Sequence, residues 1–385
     1  MIIVADRQIP FIRSCCADVA EVRLYDARDR HTLTTLLRGA DALFCRSTVT
    51  VDCELLSSTG IRFVGTATSG IDHVDVEWLT DHGIGFSSAS GSNARSVAEY
   101  VICAILRYAC ATHRTLDDLS LGIIGVGKVG SLLSEFAERL GVKVFLNDPP
   151  RQDLGSDCSF SSLGDVLACD IVSLHVPKTQ IGPYPTYDLI NQTNLGIMQR
   201  HALLIQTSRG GTVNEHALIQ HLRRGLIWGA VVDVFEHEPA VKTDLVKECW
   251  LASPHIAGHS FDAKIRGTAM LLEAFASYFG LGSEVIRAKS IHPTPHILQL
   301  SVGTNCIKEQ ALLGLLDQVY DIRCDDAALR AWVDESPMRL SALFAEYRAN
   351  YNMRLEFPNY RVESAPGCEP LMNSLNDLGF MIHAP

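Results

Sequence analysis

The stretch Leu121-Gly122-Ile123-Ile124-Gly125-Val126-Gly127-Lys128-Val129-Gly130 constrains this chain more than any other. An apolar run enters a glycine-rich turn and leaves as a helix, the pattern of a backbone cradle for a dinucleotide pyrophosphate. Gly125 suits the tight turn, Gly127 leaves no Cβ between backbone and phosphate, and Gly130 lets the helix pack closely on its strand. The helix start, with Lys128 and Val129 in its first turn, brings unpaired N–H groups and the positive end of the helix dipole to the same place.

Glycine-rich turns also occur without any ligand, so the flanking sequence has to decide. Val129, Leu132, Leu133, Phe136, Ala137 and Leu140 repeat with helical spacing, Gly141 ends the helix, and residues 142–146 read as a β-strand. Asp148 stands at the end of that strand, where a carboxylate binds an adenine-ribose diol and repels a 2′-phosphate. NAD is therefore the expected cofactor. The other reading of Asp148 is a turn residue ahead of Pro149-Pro150.

A chain of 385 residues is long enough for two or three domains. Its formal net charge of −11, without a lysine/arginine run, argues against nucleic acid or a membrane surface as partner, and an anionic substrate then needs local cations. The twelve cysteines include no C-x-x-C pair and sit mostly among apolar neighbours, so reduced thiols, a cytoplasmic setting and no metal are expected. Met1-Ile2-Ile3-Val4-Ala5 meets Asp6-Arg7 at once and reads as a first strand, and no apolar run approaches membrane-spanning length.

The expected fold is α/β. Residues 2–5, 22–25, 42–45, 63–65 and 85–87 read as strands of a first lobe, two of which end in the polar loops Arg46-Ser47-Thr48 and 66–73. A long helix runs from about Ala94 to His113 into the cradle. Strands at 171–174, 202–206 and 229–232 then end in His175-Val176-Pro177, Thr207-Ser208-Arg209-Gly210-Gly211 and 233–239, and Leu251 to His259 forms the last loop before a helix over 262–279. In open parallel sheets, ligands gather at such carboxyl ends. Beyond about Lys289, helical periodicity appears at 305–319 and 327–347, and 352–357 and 361–363 look extended.

Arg209, Glu238 and His255 form the expected reactive set. An arginine fork fits a carboxylate, histidine shuttles a proton near neutral pH, and a neighbouring carboxylate orients the imidazole. Each has a plainer reading: a loop arginine on backbone carbonyls, an exposed turn glutamate, a satisfied core histidine. His175 and His259 are the competing proton carriers.

These motifs together resemble the D-isomer-specific 2-hydroxyacid dehydrogenases over roughly residues 40–285. The matching positions are the three cradle glycines with Asp148, Asn93 to Glu99, His175 to Pro177, Ser208-Arg209-Gly210, Asp233-Val234-Phe235 with Glu238-Pro239, and Pro254-His255. The resemblance implies a Rossmann-type cofactor domain (94–256) inserted in a split, flavodoxin-like substrate domain (1–93 and 257–288). It places Arg209 on the substrate carboxylate, His255 with Glu238 as acid/base, and Val176, Thr207, Ser208, Asp233 and Gly258 around the cofactor. The loop at 65–75, Ser253 to Gly258 and the tail (289–385) are similar to a branch acting on a phosphorylated 2-hydroxy acid, with an α+β dimerisation domain. That likeness implies a homodimer, with Ser47, Thr68, His259 and Arg46 toward the substrate. Ser69 and His259 depart from the branch's usual alanine and tyrosine. A dehydrogenase for another acid, such as 3-phosphoglycerate, and an NAD(H)-sensing binding protein are the alternatives.

Overall fold

Short apolar strands alternating with amphipathic helices bury both faces of a sheet when the strands run parallel, and this chain folds that way. The computed structural model describes residues 1–156, 158–282, 296–299, 307–363 and 369–383. The chain divides into two compact units, Met1–Asn93 with Ser260–Thr294, and Ala94–His259 with Pro295–Pro385.

The first unit holds β1 (Ile2–Asp6), β2 (Glu21–Tyr25), β3 (Ala42–Cys45), β4 (Phe63–Thr66) and β5 (Gly85–Ser88), all parallel in the order β2-β1-β3-β4-β5. This is the flavodoxin-like order. Leu33, Leu37, Leu55, Leu56 and Leu79 fill one face of the sheet. On the other, Phe44 and Phe63 meet Leu271, Leu272 and Phe275 of the helix Phe261–Tyr278. Cys45 pairs with Thr66, so the polar loops that follow β3 and β4 emerge side by side.

The second unit is built on β6 (Ser120–Ile124), β7 (Lys143–Asn147), β8 (Ile171–Leu174), β9 (Leu203–Gln206), β10 (Gly229–Val232) and β11 (Leu251–Ala252). They pair in parallel in the order β11-β10-β9-β8-β6-β7. The order reverses between β6 and β8, so a crevice opens at their carboxyl ends. The helix Ala94–Thr112 is buried along most of its length, in keeping with apolar residues on all its sides. It packs on the cradle helix Lys128–Arg139 and on the tail helix Lys308–Val319.

The tail adds a parallel sheet of β12 (His296–Gln299), β13 (Tyr360–Glu363) and β14 (Met381–His383). Leu312, Leu315, Leu316, Leu375 and Phe380 share a core with Leu121 and Ile123 of β6. Leu329, Leu340 and Phe344 join the core on the other face of the same sheet. The tail is thus packed on both faces of the cradle sheet.

Three local expectations for the tail need correction. The single helix read over 327–347 is two, Ile322–Arg330 and Pro337–Ala349, because Ser336 caps Arg339 N–H and Pro337 opens a new helix where its missing donor costs nothing. Residues 352–357 do not form a strand: Arg354 N–H turns back on Asn352 O at 2.8 Å, and Phe357 N–H donates to Glu99 Oε1 at 3.0 Å, so neither joins a ladder. The helix read over 305–319 begins at Lys308, and Asn305 and Cys306 lie outside the described residues. The helix Glu369–Asp377, β12 and β14 gave no legible sequence pattern.

Asp170 ties the starts of three strands together. It accepts Ser120 N–H (2.8 Å) and Ser120 Oγ–H (2.6 Å), and it pairs with Arg114 Nη1 (2.5 Å) and His201 Nε2 (2.9 Å). Burial alone would raise its pKa, but Arg114 and the two Ser120 donors more than offset that and hold it at about 2. A depressed carboxylate stabilises the fold fully above its unfolded value of about 4 and ceases to do so as the pH falls through the folded one. Asp170→Asn is therefore expected to lower stability by about 2 kcal/mol at pH 7. Urea unfolding should show that deficit shrinking below about pH 3; a deficit independent of pH would remove Asp170's charge from the account.

Candidate active site

The cradle is shaped by what its glycines exclude. Gly125 has φ +89°, and a Cβ there would stand 2.7 Å from His175 O and 2.8 Å from Val176 Cγ1. A Cβ at Gly130 would collide with Gly125 O. At Gly127, by contrast, nothing lies within 4 Å of the Cβ position, and the helix Lys128–Arg139 begins there without a side-chain cap. The first N–H groups of that helix therefore face open space, the arrangement a pyrophosphate requires. Lys128 is exposed and Val129 half-buried beside them.

Asp148 is a turn residue that also leaves room for the other reading. Its Oδ1 accepts Arg151 N–H at 3.1 Å, capping the helix Pro149–Asp153, and its Oδ2 accepts Val126 N–H at 2.8 Å, fastening the cradle. Each oxygen keeps a lone pair for a ribose hydroxyl. Arg151, which sequence reasoning did not single out, donates to Val126 O and reaches Ser131 Oγ at 3.3 Å. Across the crevice, His175 contacts Ser173 Oγ (2.9 Å) and Thr207 Oγ1 (3.4 Å). Burial pushes its imidazole down to about 3, so it is neutral at ordinary pH and a poor proton carrier.

Beyond β9 the chain turns through a loop stapled by Gln206. Its Nε2 donates to Arg209 O (2.9 Å) and Thr212 Oγ1 (2.7 Å), and its Oε1 accepts from Ser208 Oγ (2.8 Å). Arg209 is half-buried, with one guanidinium N–H on Ser208 O at 2.8 Å. Gly210 packs against the Phe235-Glu236 backbone, which brings the loops after β9 and β10 into contact.

Asp233, buried at the end of β10, holds the last loop. Its Oδ1 accepts from Ser253 Oγ (2.6 Å) and Ile256 N–H (2.8 Å), and its Oδ2 from Ala257 N–H (3.0 Å). That loop carries His255 at φ +54°, a left-handed conformation uncommon outside glycine. Its Nδ1 lies 2.6 Å from Glu238 Oε2, while Glu238 Oε1 accepts Phe235 N–H at 2.8 Å. Burial alone would raise the Glu238 pKa, but His255, the hydrogen bonds and Arg348 more than compensate, and the carboxyl is held below its usual range. An ionised carboxylate only accepts, so His255 carries a proton on Nδ1, and the neutral form of the ring then has its lone pair on Nε2. Gly258 and His259 follow in the same loop, and the His259 ring stands edge-on to Tyr351 with centroids 6.0 Å apart. Sequence reasoning placed nothing from the tail here, yet Arg348 Nε donates to His255 O at 3.2 Å.

The cradle, Arg209, Asp233, Glu238 and His255 thus share the carboxyl edge of one sheet. Arg46, Ser47 and Thr68 belong to the other unit. There Ser47 is exposed, and Thr68 Oγ1 bonds Thr66 Oγ1 (2.8 Å) and Gly70 O (2.9 Å). Lys264, which the sequence did not flag, has no acidic partner among the described residues; burial and nearby Arg46 pull its ammonium below the usual lysine range. Ser69, the departure from the branch's alanine, ties its loop down by accepting Gly91 N–H (2.9 Å) and bonding Asn93 Oδ1 (2.8 Å). The ten described cysteines are free thiols. Among the described residues no cluster of metal ligands occurs, and no helix is long and apolar enough to cross a membrane.

Comparison with known proteins bears on this geometry. Residues 104–257 match the NAD binding domain of D-isomer specific 2-hydroxyacid dehydrogenases, and residues 292–379 match a domain of unknown function (DUF3410). The erythronate-4-phosphate dehydrogenase of Marinobacter nauticus is 38% identical over 388 residues, covering 99% of this chain and 100% of its own. The chain belongs to the erythronate-4-phosphate dehydrogenase family. The Hahella chejuensis member is 36% identical over 99% of both chains. In fold, the NAD-dependent formate dehydrogenase of Staphylococcus aureus matches 72% of this chain and 96% of its own, with a TM-score of 0.60 at 23% identity. NAD is the cofactor of the matched domain, and the open N-terminus at Gly127 with the free lone pairs of Asp148 fits it.

Gly125→Ala is expected to cost about 1–3 kcal/mol by forcing a left-handed, crowded alanine, and to weaken NADH binding. Fluorescence titration with NADH checks this, and unchanged affinity would show that the turn adapts.

Proposed function

We propose that the protein oxidises 4-phospho-D-erythronate at C2 to 2-oxo-3-hydroxy-4-phosphobutanoate, a step toward pyridoxal 5′-phosphate. The observation that carries this reading is the 2.6 Å Glu238–His255 pair, held at the cradle edge of the sheet in a chain of this family. Arg209 anchors the substrate carboxylate and draws electron density from the C2 oxygen. His255 Nε2 accepts the C2 hydroxyl proton, and the resulting imidazolium is stabilised by Glu238 at Nδ1. NAD, held by the helix start at Gly127 and by Asp148, would supply the hydride acceptor for C2.

We assign the phosphate end to Ser47, Thr68 and Arg46, with Lys264 as a further cation and His259 contributing from the catalytic loop. Two neighbouring cations with no acidic partner among the described residues suit a dianion in a protein of net charge −11. We place the protein in the cytoplasm as a homodimer that meets through its tail. Met338 and Met353 are 83% and 69% exposed there, adjoining in sequence the residues of a hollow of about 430 Å³ that Trp332, Arg339, Tyr347 and Tyr351 help to line. A monomeric mass by sedimentation at micromolar concentration would contradict the dimer.

The test follows NADH formation and product with 4-phospho-D-erythronate, D-erythronate and 3-phosphoglycerate in parallel. Turnover of the phosphorylated four-carbon acid is expected, with Arg209→Ala and His255→Asn each lowering kcat/KM by about 10³-fold or more. Lys264→Ala should raise KM for that substrate by about tenfold without changing NADH affinity. Preference for 3-phosphoglycerate would keep the chemistry and change the substrate, while NADH binding without any turnover would favour a sensor.

A further inference from the structure

The loop that carries His255 is held from two sides. On one, the Asp233 carboxylate takes the N–H groups of Ile256 and Ala257. On the other, the carbonyls of the same short stretch are taken by the tail: Arg348 Nε donates to His255 O at 3.2 Å, and Arg354 Nη1 donates to Ala257 O at 3.2 Å. Arg354 is itself fixed, buried with its guanidinium 3.9 Å from the Tyr320 ring centroid and with Nη2 on Ser96 O at 2.8 Å. The tail also reaches the strand before the loop, where Ala252 N–H donates to Asp326 Oδ1 at 2.8 Å.

These contacts fall where the backbone most needs them. His255 stands at φ +54°, which costs a non-glycine residue of order 1–3 kcal/mol and persists only if its surroundings impose it. Rotation of that peptide would swing the imidazole away from Glu238, because the carbonyl of His255 moves with it. A charge-assisted hydrogen bond to that carbonyl is stronger than a neutral one and opposes the rotation. Arg348 also adds positive charge beside Glu238.

We propose that Arg348 and Arg354 are positioning residues: the tail sets the peptide geometry of the His255 loop and thereby aims Nε2 at the substrate. This rests on His255 being the proton carrier. A displacement of about 1 Å at a reacting group can cost about 100-fold in rate, so the effect should appear in kcat rather than in binding.

Steady-state kinetics of Arg348→Ala, Arg348→Lys, His255→Asn and the double variant Arg348→Ala/His255→Asn test it, with NADH affinity and thermal midpoint measured alongside. Arg348→Ala is expected to lower kcat by about 10- to 100-fold with KM and NADH affinity within about twofold of the parent. Lysine, which can still donate to the carbonyl, should restore much of it, and Arg348→Ala should cost less than about twofold further once His255 is asparagine. A parental kcat in folded Arg348→Ala, or full additivity in the double variant, overturns the proposal. If Arg348→Ala does not fold, Arg348→Gln must show the same fall in kcat without a change in KM, and a parental kcat there overturns it equally. Retained activity in His255→Asn alone would instead sink the assignment of His255.

Discussion

The Asp233 carboxylate is the constraint on which the rest of the second unit's chemistry depends. It is an anion buried at the end of β10, which would be costly if left unpaired, and burial does raise its pKa. Three donors answer it, and all three come from the last loop: one hydroxyl and two consecutive peptide N–H groups. Satisfying that one carboxylate bends the chain after β11 back over the sheet edge. Glu238, three residues beyond Phe235 and bonded to its N–H, then meets His255 as a consequence of two short loops folded on the same strand end. Ser253 Oγ extends the network to Tyr100 OH at 2.7 Å, so the long buried helix takes part in the same arrangement.

The sheets were legible because their strands are short apolar runs closed by polar or glycine-rich loops, and the strands of the two large sheets fall within a residue or two of the positions read, except the two-residue β11, whose Leu251 and Ala252 were read as part of the last loop. The cradle was legible for the same reason, since its glycines answer to local sterics. Asp148 shows the limit of such reading: capping and diol binding looked like alternatives, but a carboxylate has enough lone pairs for both. The tail was not legible to the same degree. Its strands β12 and β14 are four and three residues long and lack a pattern of their own, and residues 352–357, read as extended, form no strand: a short backbone turn closes at Arg354 and a 3-10 turn opens at Phe357. Lys264 carried no local signal, and the stretch from Tyr347-Arg348 to Arg354-Phe357 pointed only to a dimerisation domain, since the partners of its arginines are remote in sequence.

Burial also sorts the histidines by role. His175, His255 and His259 all stand at strand ends of the second unit, and spacing alone does not separate them. His175 lies between hydroxyls with no carboxylate beside it, so burial leaves it neutral. His255 has a carboxylate at 2.6 Å to balance a transient positive charge, and His259 packs its ring against Tyr351. A carboxylate at hydrogen-bond distance is what the proposed proton transfer at His255 needs.

The reach of the two tail arginines sets an order on biosynthesis. Arg348 lies 93 residues after His255, and Arg354 lies 97 after Ala257. A ribosome supplies both large sheets well before it supplies those guanidinium groups, at roughly 5–20 residues per second. For several seconds a nascent chain holds the cradle, Glu238 and His255 while the His255 loop has its Asp233 contacts but not yet those to Arg348 and Arg354. The restraints on that loop are therefore completed only after the dinucleotide cradle has been made.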